Sequence, residues 1–290
     1  MKAAASRFGE HDALDARIAM LAGLAVVIAA AAIMAAFHDR FWWPPDDGAY
    51  AYVAQRILRG DVLNGNIQDV HAGYVHFIHA AAMALFGEDI VSLRYPLAFL
   101  TIVQAALAYL LLLPRGRPIA FAAGVSAAAL SFVLFLNPSA NWYALAMAFV
   151  VTGVLAWTKP GDRWRVISIG VLLGSAFLLR QLSGVFLAMG ALTWLLVEKQ
   201  PAAAGSPRLA RALILVMGIG LVGYLVSKQS VTGAVLFGLG PIALLALAWR
   251  ATALADRACL RSIRDLLLGA AAAACPLVIY HLHHGTLASW

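Results

Sequence analysis

Residues 18–37 run for 20 positions without one charged side chain. That length suffices to cross the ~30 Å hydrocarbon core of a bilayer as a helix. In lipid every backbone N–H and C=O has to be paired internally, and a helix does so within one segment. Comparable apolar stretches recur at about 90–113, 119–136, 142–157, 166–179, 184–197, 212–227, 231–249 and 266–280. The chain therefore reads as all-α: a polytopic membrane protein of about nine transmembrane helices. Composition agrees, with 63% of the 290 residues hydrophobic and 12% charged, where soluble domains carry about 25% charged residues. Such a chain is not disordered. Two cysteines, Cys259 and Cys275, do not make a disulfide framework.

Basic residues set the expected orientation. With the N-terminus in the cytoplasm, 15 of the 21 Lys and Arg fall inside, among them Arg115, Arg117, Arg163, Arg165, Lys199, Arg208 and Arg211. Only Arg40, Arg56, Arg59, Arg94, Arg180 and Lys228 fall outside. The bias follows the positive-inside rule and accounts for the net charge of +7 without a nucleic-acid partner. The expected location is the inner (plasma) membrane, multi-pass, with the N-terminus cytoplasmic and Trp290 outside.

One outer loop, residues 38–89, holds Asp39, Asp46, Asp47, Asp61, Asp69, Glu88 and Asp89, all the acidic residues on that side. It opens Phe41-Trp42-Trp43-Pro44-Pro45-Asp46-Asp47-Gly48. The aromatics suit a membrane interface, Pro-Pro stops the first helix, and Asp caps the next. Tyr50, Val53, Ala54, Ile57 and Leu58 then fall on one helical face. The expectation is a surface helix over 47–59 with Tyr50, Val53, Ile57 and Leu58 buried. Residues 73–86 are too short and polar for a span and read as a second juxtamembrane helix.

The Asp pair opening an amphipathic helix, the phrase Ala54-Gln55-Arg56-Ile57-Leu58-Arg59-Gly60-Asp61 and the closing Phe86-Gly87-Glu88 carry a resemblance. So do Asn137-Pro138-Ser139-Ala140-Asn141-Trp142-Tyr143 and Gly174-Ser175-Ala176-Phe177-Leu178-Leu179-Arg180-Gln181. Together they resemble the N-terminal portion of the GT-C membrane glycosyltransferases, the protein-mannosyltransferase and aminoarabinose-transferase-like branch (glycosyltransferase family 39 and relatives). Family members commonly show a basic residue or His followed by Pro-Pro before the second juxtamembrane helix, where this chain has Val70-His71-Ala72-Gly73-Tyr74. Members are also usually longer. The resemblance implies one GT-C-like transmembrane domain over 1–290, with the active site in loop 38–89.

It further implies transfer of a sugar from a polyprenyl-phosphate carrier to a glycan, lipid or protein acceptor hydroxyl on the outer face, as in cell-envelope glycosylation. That chemistry needs a carboxylate base and cations for the departing phosphate. Asp46 and Asp47 are the catalytic candidates, Asp46 favoured; the alternative is that either one only caps the helix. Arg180, in an apolar hairpin, is the phosphate candidate; the alternative is an interfacial side chain reaching for water. Asp69, His71, Arg56 and Arg59 are further substrate-binding candidates. Arg56, Arg59 and Arg94 are secondary phosphate candidates, for each of which a solvated or headgroup-contacting role is favoured.

Seven of the eight histidines fall outside: His38, His71, His76, His79, His281, His283 and His284. No spacing ties His76 and His79 to the histidines of 281–284, so no metal site and no cofactor is expected. Neither a Walker A loop nor a His-Glu-x-x-His or Gly-x-Ser-x-Gly motif is present. The competing function is a transporter or flippase of a lipid-linked substrate, or a truncated non-catalytic relative. Transporters concentrate ionisable residues near the midplane, whereas here the acids gather in one outer loop.

Overall fold

The computed structural model describes residues 2–42, 44–198, 206–252 and 254–290. Trp43 and Lys199, named above, lie outside the described residues. Among the described residues eleven α-helices follow in order. They are α1 (Lys2–Phe37), α2 (Pro44–Leu58), α3 (Tyr74–Phe86), α4 (Tyr95–Leu112), α5 (Arg117–Ala129), α6 (Ala140–Trp157), α7 (Arg163–Leu179), α8 (Gln181–Val197), α9 (Arg208–Lys228), α10 (Val231–Ala251) and α11 (Asp256–His283). Short 3₁₀ turns precede α4 at Ile90–Arg94 and α6 at Phe132–Leu134. Among the described residues the only β-type pairing is the isolated bridge between Leu63 and Ile67.

Seven helical segments among the described residues are long and apolar enough to cross a membrane; they centre on α1, α4, α5, α6, α9, α10 and α11. The chain is a helical membrane protein by that criterion. The other two expected spans, 166–179 and 184–197, correspond to α7 and α8, each of 17 residues. At 1.5 Å per residue these are roughly 25 Å long, short of the hydrocarbon thickness. Large apolar side chains such as Met20, Leu21, Val216, Phe237 and Leu239 are exposed, as lipid contact requires.

The chain divides into two compact units. The first comprises Met1–Gly153, Leu178–Arg180 and Leu277–Trp290. Inside it α1, α4 and α5 pack on small residues, Val26, Ala30, Ala105, Ala120 and Ala128, and the buried Tyr109 hydroxyl donates to the Ala19 carbonyl over 2.6 Å. A second cluster joins Met34, Val75, Leu97, Phe132 and Tyr143. The alanine face of α2, Ala51 and Ala54, meets Ala80 and Met83 of α3 and Leu93 of the following turn. Helix α2 is therefore held by protein along one side. Val53 is buried as expected, Tyr50 and Ile57 are half-buried, and Leu58, the last helical residue, is exposed.

The second unit comprises Val154–Phe177 and Gln181–Pro276. Here the backbones of α7 and α11 touch. A side chain at Gly170 would run into the Leu266 backbone, and one at Gly174 into Ala270. Small residues at such crossings allow the close approach that helix association in lipid relies on. Arg165, at the start of α7, is buried and pairs bidentately with Glu198 at 2.5 and 2.9 Å. An apolar groove of about 700 Å³ runs between α9 and α10, lined by Ile214, Ile219, Ile242 and Trp249.

Candidate functional site

The polar residues of the first unit gather where loop 38–89 folds back on itself. Helix α2 begins at Pro44, where proline's fixed φ suits the first turn, and Asp46 and Asp47 occupy that turn, complementing the helix dipole. The two carboxylates then part. Asp47 turns inward and accepts from Arg94 Nη2 over 3.0 Å, with both side chains almost wholly buried. Arg94 also donates to the carbonyls of His38 (3.1 Å), Arg40 (2.7 Å) and Phe41 (3.3 Å). Its guanidinium lies 3.8 Å from the Trp42 ring centre. Arg94 therefore occupies neither solvent nor headgroups: its fork closes the chain leaving α1 onto the start of α2, and Asp47 supplies the counter-charge.

Asp46 points the other way. It is exposed, and it accepts from Asn137 Nδ2 over 2.9 Å. Tyr50, four residues on, falls on the same helical face. Around the Tyr50 ring stand His71 (5.6 Å between ring centres), His76 (6.1 Å) and His79 (5.3 Å). The Tyr50 hydroxyl lies 3.4 Å from His71 Nε2. Burial raises the Tyr50 pKa; the Ala140 N–H opposes this, Asp46 and Asp69 reinforce it, and Arg180 opposes it. Arg180, exposed between α7 and α8, is thus within electrostatic reach of the same hydroxyl as Asp46 and Asp69.

Asp69 is the acceptor at the centre of the loop. Its Oδ1 takes the backbone N–H of His71 (2.8 Å) and His71 Nδ1 (2.6 Å), and lies 2.9 Å from His76 Nε2. Partial burial pushes its pKa up, but the adjacent His71 and His76 outweigh burial and hold the carboxyl well below the usual range. Gly73, at φ 126, makes the turn into α3 in a region that favours glycine. That turn brings His76 and His79 beneath the loop. His79 is fully buried, and its pKa is lowered to about 3 by burial and by the neighbouring His76 and His71. Neither of its ring nitrogens has a hydrogen-bond partner among the described residues.

The C-terminal segment braces this loop at two points. The Leu63 N–H donates to the Tyr280 hydroxyl over 3.0 Å, and Trp290 Nε1 donates to the Ala72 carbonyl over 2.8 Å. His281 stacks on Trp290 with ring centres 4.9 Å apart.

Of the sequence candidates, Asp46, Asp69, His71 and Arg180 come together around Tyr50, and Asp47 is taken up by Arg94. Arg56 and Arg59 stand apart. Arg56 binds Asp61 over 2.7 Å and lies over the Tyr52 ring, and Arg59 is exposed just beyond α2. Ten residues of helix separate Arg56 from Asp46, a rise of roughly 15 Å. Hydrogen bonding to Asp61 lowers that carboxyl's pKa and raises that of Arg56. The sequence reading missed Tyr50 as the hub and Asn137 as the partner of Asp46, and it took Arg94 for a secondary phosphate candidate rather than the buried partner of Asp47. It also saw no metal-ligating set, although Asp69, His71 and His76 are grouped closely enough to hold an ion. The available signal was their Asp-x-His-x₄-His spacing.

Comparison with protein-family models, with curated proteins and with solved structures finds no match to this chain.

Proposed function

We propose that the chain is a glycosyltransferase that moves a sugar from a polyprenyl-phosphate carrier to an acceptor hydroxyl at the outer face of the membrane. The observation that supports this most is the setting of Asp46: an exposed carboxylate, fixed by Asn137 at 2.9 Å, one helical turn from a tyrosine that also feels Arg180. Asp46 accepts the acceptor's O–H proton as its oxygen attacks the anomeric carbon. The bond from that carbon to the phosphate oxygen breaks, and Arg180 meets the charge left on the lipid phosphate. An inverting transfer needs one such base. Asp47, already neutralised by Arg94, holds the helix in place.

The test is transfer from a labelled polyprenyl-phosphate sugar in membranes bearing the chain. Asp46→Asn keeps the size and hydrogen bonding of the side chain while removing the base, and lowers turnover on the order of 10²–10⁴-fold. Arg180→Ala weakens carrier binding and transfer together. Full activity in Asp46→Asn overturns the reading.

A further inference from the structure

We infer that Asp69, His71 and His76 form a binding site for a divalent transition-metal ion, with zinc the best match to the donor set. One carboxylate oxygen and two imidazole nitrogens converge, all within 4.8 Å of one another. Imidazole with carboxylate suits zinc, whereas calcium and magnesium take oxygen ligands almost exclusively. With bonds of about 2.0–2.1 Å, tetrahedral zinc holds its ligand atoms roughly 3.3 Å apart. Asp69 Oδ1 now sits 2.6 Å from His71 Nδ1 and 2.9 Å from His76 Nε2. A spread of about half an ångström at each pair, within ordinary side-chain adjustment, admits the ion.

The surroundings favour an ion over a simple hydrogen-bonded cluster. His76 is fully buried, and neither ring nitrogen makes a hydrogen bond among the described residues, Nε2 included, although Nε2 lies 2.9 Å from Asp69 Oδ1. Buried polar nitrogens without partners are uncommon and costly. A second feature lies behind His71. To ligate through Nδ1 its proton has to reside on Nε2, and Nε2 faces the Tyr50 hydroxyl at 3.4 Å. A ligating histidine that passes its other N–H to an acceptor is the usual supporting arrangement. Three protein ligands leave a fourth position for water or substrate, as in catalytic zinc sites.

The site stands independently of sugar transfer, and so does its test. Full-length protein in detergent is stripped with a chelator and dialysed against Zn²⁺, and bound metal is counted by elemental analysis. One zinc per chain is expected, with Mg²⁺ failing to compete. Asp69→Asn and His71→Gln each reduce affinity at least tenfold, and the paired substitution His283→Ala with His284→Ala leaves it unchanged. Because replacing the fully buried His76 risks unfolding, the half-buried Asp69 and His71 carry the test, and the melting temperature of each metal-free variant reads its folding. Zinc raises the melting temperature of the parent and not that of Asp69→Asn. Binding well below one zinc per chain, or Asp69→Asn binding like the parent, overturns the site. Either of those results leaves the glycosyltransferase reading to its own assay.

Discussion

Asp46 and Asp47 are neighbours in the chain with opposite fates, and the difference comes from Arg94. The Arg94–Asp47 pair is almost completely removed from solvent. Removing one partner of a buried pair leaves an uncompensated charge, at a cost of about 3–5 kcal/mol. Arg94→Met should therefore lower stability in detergent by that amount. Adding Asp47→Asn should recover part of the loss, the remainder reflecting the carbonyl bonds to His38, Arg40 and Phe41. Asp46→Asn should leave the melting temperature nearly unchanged. The acidic pair was legible in the sequence, but its division of labour was not. The partner that neutralises Asp47 lies 47 residues later, and no local pattern marks Arg94 as buried.

His79 supplies a second test at this scale. Its pKa is depressed from 6.5 to about 3, so the unfolded chain binds the proton more readily than the folded one. Stability contributed by the neutral ring is complete above pH 6.5 and declines as the pH falls towards 3, by up to about 1.4 kcal/mol per pH unit. In His79→Leu that part of the acid dependence should disappear. With both nitrogens lacking partners, the substitution should cost little at neutral pH. Unfolding midpoints measured from pH 7 to pH 4 in both proteins decide it; parallel curves would remove His79 as the source.

At the scale of elements, helix positions were the most readable part of the chain. The helix expected over 47–59 is present as α2, Pro44–Leu58, and the one expected over 73–86 as α3, Tyr74–Phe86. Apolar spacing and the flanking Pro-Pro and Gly residues sufficed for both. What spacing could not reveal is which face packs on what. Leu58 was expected inside, yet the alanines of α2 meet α3, and the end of the helix projects beyond them. The crossing of α7 and α11 was equally hidden, because glycine leaves no trace in an apolar pattern. Gly170→Leu or Gly174→Val should separate these helices and sharply reduce the yield of folded protein in detergent. Gly190, on α8, has open space around it. Gly190→Ala should be tolerated and should add up to about 1 kcal/mol through helix propensity. Equal yields for Gly170→Leu and Gly190→Ala would show that the close approach is dispensable.

At the scale of the whole molecule, topology follows from parity. Among the described residues seven helical segments are long enough to cross, and α7 and α8, each of 17 residues, are expected to add two crossings as a hairpin or none. The expected number of crossings is therefore odd either way, which predicts the N-terminus and Trp290 on opposite sides. Loop 38–89 follows the first candidate crossing, so it is expected on the same side as Trp290. The hydrogen bond from Trp290 to the Ala72 carbonyl, at 2.8 Å, keeps those two segments together, as that expectation requires. The absolute direction rests on charge: 15 of 21 basic residues fall on the side of the N-terminus under this assignment. Gln68 is exposed in the loop and is the place to ask. In a variant with Cys259 and Cys275 replaced, Gln68→Cys should react in intact cells with a membrane-impermeant maleimide, whereas a cysteine at Asp162, exposed between α6 and α7, should react only after the membrane is opened. Protection of Gln68→Cys with ready labelling at Asp162 would invert the whole molecule and move Asp46, Asp69 and Arg180 to the cytoplasmic face.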